Sequence, residues 1–182
     1  MSKTKVTELL LNETQGKEKP SKTGRAFADA GYAWQIFLVD FYRRAKSVYK
    51  IDFDTFMIIM IVMSHVINEK SRGGPLVHET IEDFFKEIDN LEPGKLGLSK
   101  RKLGISNIAN ILDMPDETAR RKLDKLIELK LIQRTKEDGI ILGDGFAKRH
   151  EPFGDNTVKN FGKLLRAFDK AGVIDLALNN KM

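Results

Sequence analysis

The chain contains no cysteine, which excludes disulfides, thiolate metal sites and a thiol nucleophile and fits a reducing compartment. Its three histidines, His65, His78 and His150, are too far apart in sequence for the closely spaced ligand pairs of zinc sites. No apolar run reaches the roughly 20 residues that a membrane-spanning helix needs, and residues 9–11 are too short for the apolar region of a signal peptide. We therefore expect a cytoplasmic protein with no metal, no cofactor and no membrane contact.

Motifs for catalysis and nucleotide binding are also missing. Neither of the glycine-containing segments 73–75 and 143–145 precedes the Lys-Ser/Thr pair of a P-loop or belongs to a βαβ unit. His65 is predicted to be a hydrogen-bonded core residue on an apolar helix, and His150 is predicted to lie at the surface. The sequence therefore indicates a binding protein rather than an enzyme.

Positive charge is concentrated in one part of the chain. The net charge is only +5, but residues 118–136 alone carry seven bases against two acids. The seven bases are Arg120, Arg121, Lys122, Lys125, Lys130, Arg134 and Lys136. A local basic stripe attracts a phosphate backbone, although a solvated helix face explains most charge runs of this kind.

The distribution of apolar residues and helix breakers divides the chain into four regions. Residues 1–25 are polar and lysine-rich and predict a flexible basic arm. Residues 26–96 predict a helical core that also takes part in dimerisation, and residues 97–150 contain the motif described below. Residues 151–182 predict a C-terminal dimerisation helix with a break at Gly172.

Three helices are predicted in the second region. Apolar residues at three- and four-residue intervals predict an amphipathic helix with an aromatic face over residues 26–49. The next helix begins at Asp52 or Asp54, either of which suits an N-cap, and it is apolar on nearly every side. A short acidic helix is predicted over residues 77–91.

Residues 103–142 hold the most informative pattern, which starts with a short helix and a tight turn. Ser106 is the predicted cap of this helix. The predicted inner face of the helix consists of Ile108, Ile111 and Leu112. Asp113, Met114 and Pro115 form the predicted turn, with Met114 directed towards the core.

A second helix is predicted to begin at Asp116. Pro115 suits a helix start because its φ is fixed and its missing donor costs nothing there, and the carboxylates of Asp116 and Glu117 favour the helix dipole. The predicted buried residues are Ala119, Leu123, Leu126, Ile127 and Leu131. The opposite face presents Thr118, Arg120, Arg121, Lys122 and Lys125.

A β-hairpin is predicted directly after the second helix. Residues 131–135 and 140–142 are short β-type runs, and the Asp138-Gly139 pair between them is a strong hairpin signal. Arg134 and Lys136 are expected near the tip or edge of this hairpin.

The run IANILDMPDETARRKLDKLIELKLIQR resembles the winged helix-turn-helix of bacterial transcriptional regulators. The matching positions are Ala109, Leu112, Met114, Glu117, Thr118, Arg121, Leu123, Leu126, Leu131 and Ile132. The layout, with helices on both sides of the motif, is most similar to MarR-type dimeric regulators. Asp113 departs from the common turn glycine and is expected in the left-handed conformation, which Asp tolerates. Asp116 also departs from the pattern, because it places an acid close to the expected phosphates.

This resemblance implies a mainly α fold with a small β-hairpin wing, in which the winged helix-turn-helix is flanked by helical dimerisation segments. It implies a homodimer that binds double-stranded DNA and regulates transcription, with the recognition helix from Asp116 in the major groove and the wing at residues 134–140. Thr118, Arg120 and Arg121 are predicted to reach the bases. The other predicted DNA-binding residues are Ser106, Lys122, Lys125, Arg134 and Lys136.

Other interpretations remain open at this point. A winged helix also serves as a protein-interaction adaptor, and a replication or phage accessory DNA-binding protein has the same sequence features. An aromatic cluster is predicted to pack in the core or a dimer interface, and its alternative use is a pocket for a small apolar effector. This cluster consists of Phe27, Tyr32, Trp34, Phe37 and Phe41.

Overall fold

The computed structural model describes residues 22–71, 83, 86, 87, 90 and 102–178. Most of the predicted basic arm and of the predicted acidic helix over residues 77–91 lies outside the described residues. The fold is mainly helical with one two-stranded antiparallel sheet, which confirms the predicted class at this level. The bounded elements are α1 (Lys22–Tyr49), α2 (Phe53–Ser71), α3 (Ile105–Ile111), α4 (Asp116–Glu128), β1 (Ile132–Thr135), β2 (Gly139–Leu142), α5 (Phe146–Lys170) and α6 (Val173–Leu178).

The chain divides into two compact units. Among the described residues, the first unit comprises 22–38 and 160–178, and the second comprises 39–71, 83, 86, 87, 90 and 102–159. The predicted region boundary after residue 150 falls inside α5, which runs unbroken from Phe146 to Lys170. The predicted break at Gly172 is present, because this glycine has a φ of 69° and separates α5 from α6.

Helix α2 forms the centre of the second unit. Of the two predicted caps, Asp52 is the one that the structure uses. Its Oδ1 accepts the backbone N–H of Thr55 at 3.0 Å, and its Oδ2 accepts the Thr55 hydroxyl at 2.8 Å. The residues of α2 that are at most 1% exposed are Thr55, Phe56, Ile58, Ile59, Val62 and Val66. A helix that is apolar on nearly every side is stable only when it is buried, as the sequence predicted.

His65 lies on the same helix but differs from its prediction. The residue is only half-buried, and its Nε2 is buried without a hydrogen-bond partner among the residues that the structure describes. The predicted hydrogen-bonded core histidine is therefore not observed at this position.

A second prediction, that His150 lies at the surface, is wrong. His150 is 5% exposed, stacks on Phe146 at 4.7 Å between ring centroids and is hydrogen-bonded through Nδ1 to the Tyr49 hydroxyl. Phe153 packs against the same ring at 5.5 Å. The cause is the uninterrupted helix α5, in which residues three and four apart share a face.

Burial of His150 makes folding sensitive to acid. It lowers the pKa of His150 from 6.5 to about 4, so the unfolded chain binds a proton at a higher pH than the folded chain does. The resulting stability is fully present above about pH 6.5 and is lost as the pH falls towards 4, by about 3 kcal/mol in total. Urea unfolding at pH 7.5 and pH 4.5 should show most of this loss.

The matched variant for this measurement is His150→Gln, which keeps hydrogen-bonding capacity and does not titrate. The carboxylates contribute the same pH dependence to both proteins, so the difference between the two unfolding free energies isolates the imidazole. If the difference in unfolding free energy between the original chain and His150→Gln is the same at pH 7.5 and at pH 4.5, His150 is not a neutral, buried residue.

The first unit buries few of its apolar side chains. Within its described residues, only Ala30 and Leu164 belong to the buried hydrophobic set. Phe37 packs against Phe161 at 6.0 Å and stacks with Trp34 at 6.0 Å. The exposed large apolar residues of this unit are Phe27, Tyr32, Trp34, Ile36, Leu38, Phe161, Leu165 and Leu178.

The predicted aromatic cluster of the first helix is therefore divided. Phe27, Tyr32 and Trp34 are exposed in the first unit. Phe41 belongs to the second unit, where its ring packs against Phe56 and Phe153 at 5.7 and 5.2 Å.

Within the described residues, no single helix is long and apolar enough to cross a membrane. Gly24–Tyr49 and Phe53–Lys70 meet that test only when they are taken together, as a pair bent by 89°.

Candidate nucleic-acid interface

Helix α3 begins at Ile105, two residues earlier than the predicted cap at Ser106 implies. Gly104 is the N-cap, and its backbone N–H donates to Asn107 Oδ1 at 3.0 Å. Ser106 lies inside the first turn, so its predicted capping role is wrong. Its hydroxyl instead donates to Asp116 Oδ2 at 2.7 Å, which joins the start of α3 to the start of α4.

The turn between α3 and α4 has the predicted conformation. Asp113 has a φ of 49°, which is the left-handed region expected for it, and the Met114 N–H donates to the Ala109 carbonyl at 3.0 Å. Ile108 and Ala109 are buried, as a close crossing of the two helices requires. Ile111 was predicted on the inner face but is 61% exposed, because the buried face of α3 is centred on Ile108 and Ala109 and Ile111 lies to one side of it.

Helix α4 has one buried face and one charged face. Asp116 and Glu117 occupy its first turn, as predicted. Ile127, one of the five predicted buried residues, is 39% exposed, so its predicted burial is wrong. It lies in the last turn of α4, at the edge of the buried face. The other four, Ala119, Leu123, Leu126 and Leu131, are at most 3% exposed. On the opposite face, Arg120, Arg121 and Lys125 are exposed and Thr118 is half-buried.

Lys122 is directed away from that exposed face. Its Nζ lies 2.6 Å from Asp52 Oδ1 and 3.6 Å from Asp54 Oδ2, and its side chain is only 14% exposed. Burial raises the pKa of the Asp52 carboxyl, but hydrogen bonds from Lys122 and Thr55 outweigh it and hold that pKa well below its usual range. This lysine therefore joins α4 to the first turn of α2, a contact that the sequence reasoning missed.

The end of α4 is a Schellman turn with a lysine in the position usually taken by glycine. Lys130 has a φ of 56°. Its N–H donates to the Ile127 carbonyl at 2.9 Å, and the Leu131 N–H donates to the Leu126 carbonyl at 3.0 Å. The Lys130 carbonyl in turn accepts the Gly145 N–H at 3.0 Å, so the segment after the hairpin returns to the end of α4.

The hairpin after α4 pairs in the register Ile132 to Leu142 and Thr135 to Gly139. Gly139 has a φ of 79°, and a Cβ there would lie 2.7 Å from the Leu103 carbonyl oxygen, so only glycine fits. The Ile140 N–H donates to that same oxygen at 3.0 Å. Residue 103 thus adds a single bridge to the sheet before α3 begins, which periodicity did not indicate.

The hairpin also carries exposed positive charge. Arg134 and Lys136 are exposed, as predicted for its edge and tip. The exposed Lys102 reaches the same loop, because its Nζ is hydrogen-bonded to the Lys136 carbonyl. Lys102 belongs to the basic stretch before α3, and the bridge at residue 103 is what brings it to the hairpin.

The predicted site residues therefore fall into two groups. The exposed members are Ser106, Arg120, Arg121, Lys125, Arg134 and Lys136, with Thr118 half-buried beside them. Lys122 stands apart in its ion pairs with α2. Among the described residues, no group of three or more His, Asp or Glu side chains could hold a metal ion.

Comparisons with protein-family models, curated proteins and solved structures found no match to this chain. Any function of these residues must therefore be inferred from the geometry of α3, α4 and the hairpin.

Proposed function

We propose that the chain binds double-stranded DNA through a winged helix-turn-helix formed by residues 103–142, and that it acts as a transcriptional regulator. One observation carries this proposal: α4 buries its apolar face and exposes Arg120, Arg121 and Lys125, next to a hairpin that exposes Arg134 and Lys136. An α-helix fits the major groove of B-DNA, and the first turns of a recognition helix reach the base edges.

The exposed side chains differ in the part of the DNA that they can contact. Arg120 and Arg121 lie one turn into α4, where arginine can form a bidentate pair with guanine. Lys125, Arg134 and Lys136 supply backbone contacts, which carry affinity but little sequence information. Lys122 is not among the proposed DNA contacts, because its ammonium group forms ion pairs with Asp52 and Asp54.

Asp116 is the first residue of the proposed recognition helix. An acid at the start of a recognition helix repels phosphate, but this carboxylate accepts the Ser106 hydroxyl at 2.7 Å. The pair fixes the first turn of α4 against α3, so Ser106 and Asp116 position the helix rather than bind DNA directly.

The proposal includes a homodimer. The described part of the first unit exposes eight large apolar residues and buries only Ala30 and Leu164, so it needs a partner surface to cover them. A second copy of this chain is the simplest occupant, because closed two-fold symmetry is the commonest arrangement of soluble oligomers. Sedimentation should then give twice the mass of one chain.

Selection of duplex fragments from a random pool tests the proposal as a whole. The purified protein should enrich an inverted repeat whose half-sites are about one helical turn apart, roughly 34–36 Å. Fluorescence anisotropy on the enriched duplex should show an affinity that falls steeply with salt. No salt-dependent binding to any duplex would overturn the proposal, and an enriched site without symmetry would overturn its dimeric part.

A protein-interaction adaptor is the second candidate, and the exposed isoleucines favour it. Ile111 and Ile127 are 61% and 39% exposed at positions that amphipathicity predicted to be buried, and exposed apolar side chains are typical of docking surfaces. On this interpretation, Ile111→Asp would abolish partner capture, whereas nuclease treatment and charge reversal at Arg120 and Arg121 would leave that capture intact.

A further inference from the structure

A groove lies beside the exposed face of α4. It is lined by Arg121, Lys125 and Asp52 among others, and it adjoins a second groove of about 530 Å³ that shares Lys125 and Asp52. The second groove is lined by Tyr42, Lys46, Lys50, Ile51, Asp52 and Lys125. The end of α1 therefore lies next to the third turn of the proposed recognition helix.

Three lysines dominate the charge of this second groove. Asp52 is the only acid among its lining residues, and the Lys122 ammonium at 2.6 Å offsets its charge. Lys46, Lys50 and Lys125 form no ion pair with another described residue. The second groove thus presents uncompensated positive charge as far as Lys125. The first groove, which contains Arg121, balances its three bases with Asp52, Asp124 and Glu128.

The backbone at Lys50 adds a second observation. Lys50 follows the last residue of α1 and has a φ of 55°, a conformation that favours glycine. Lysine therefore has a conformational cost at this position that glycine would not have, and its side chain lines the groove. A cation near a helix C-terminus also interacts well with the helix dipole, but that contact affects only stability.

We propose that Lys46 and Lys50 bind the phosphate backbone of the same DNA duplex that α4 enters, and so extend the interface from α4 to the end of α1. This inference rests on the proposed function and adds contacts that the sequence reasoning did not include. The open groove and its row of ammonium groups suit a polyanion that continues past α4. Because the contacts reach phosphate only, they strengthen binding to every sequence alike.

The test compares the full chain with the double variant Lys46→Ala/Lys50→Gly by fluorescence anisotropy across a salt series. Removal of two phosphate contacts from each protomer, four in the proposed dimer, should lower the slope of log affinity against log salt by about four. Affinity should fall by at least about tenfold near physiological salt, with the ratio between specific and random duplexes unchanged. Lys50→Gly alone should raise the melting temperature by a few degrees, since glycine removes the backbone strain.

The matched control is Lys163→Ala/Lys170→Ala, which also removes two exposed lysines, here from α5 and outside the proposed interface. It should leave the salt slope unchanged, and Lys46→Arg/Lys50→Arg should keep the slope of the original chain. If the original chain binds DNA and Lys46→Ala/Lys50→Gly has the same salt slope as the original chain, the inference fails while the proposed function stands. If the original chain binds no duplex, both fail.

Discussion

Replacing Arg120 and Arg121 together with glutamate should weaken binding to the selected duplex by about 1000-fold or more. Truncation of a base-contacting arginine costs on the order of 2 kcal/mol, so the two losses in one half-site already amount to about 1000-fold. The reversed charges add repulsion from phosphate. Both side chains are exposed, and Arg120 has only a weak contact with Glu117 at 3.7 Å, so the fold should be unaffected.

A matched charge change elsewhere separates local contacts from overall charge. Lys148→Glu/Lys159→Glu changes the net charge by the same amount on exposed positions of α5. Anisotropy should then show a far smaller loss, and circular dichroism should show the same helix content for all three proteins. Equal losses of affinity in both variants would show that the change in net charge, rather than the loss of contacts from α4, causes the weaker binding.

Gly143→Ala should destabilise the chain by about 3 kcal/mol. A Cβ at this position would lie 2.5 Å from the Lys130 carbonyl oxygen and 3.1 Å from the Ile132 carbonyl carbon. These are backbone atoms that side-chain rotation cannot move. The shift that relieves the contact would also weaken the hydrogen bonds from Gly143 to Leu131 and from Gly145 to Lys130, so overpacking and lost hydrogen bonds add together.

Gly31→Ala is the control for this measurement. Gly31 lies within α1, and a Cβ there meets no atom within 4 Å, so alanine should stabilise the helix by about 0.5–1 kcal/mol. Urea unfolding of the two variants should therefore move in opposite directions. A Gly143→Ala variant as stable as the original chain would show that the hairpin does not return to α4 as described.

The features that the sequence predicted correctly depend on neighbouring residues. Pro115 and Asp116 define the start of α4 through their own backbone and dipole preferences. The Asp138-Gly139 pair closes the hairpin for the same reason. Asp113 adopts a positive φ in the turn between α3 and α4, a conformation that Asp tolerates. Each of these choices is decided within a few residues along the chain.

The features that were missed depend on contacts between distant residues or on where a helix ends. Lys122 and Asp52 are 70 residues apart, so no spacing rule connects them. His150 stands in a charged stretch before Pro152, which resembles a loop, although α5 continues through it. Periodicity also locates the centre of a buried face but not its width, which is why Ile111 and Ile127 were misplaced.

The backbone return from the hairpin to the end of α4 has a consequence for how such a protein can change. The hairpin is attached to α4 through main-chain atoms of Lys130, Leu131, Gly143 and Gly145, and its loop side chains at 136 and 137 are exposed. Mutations in that loop can therefore alter what the hairpin contacts without changing its orientation. The attachment and the contact surface are encoded by different residues, so one can diverge, or be redesigned, while the other is kept.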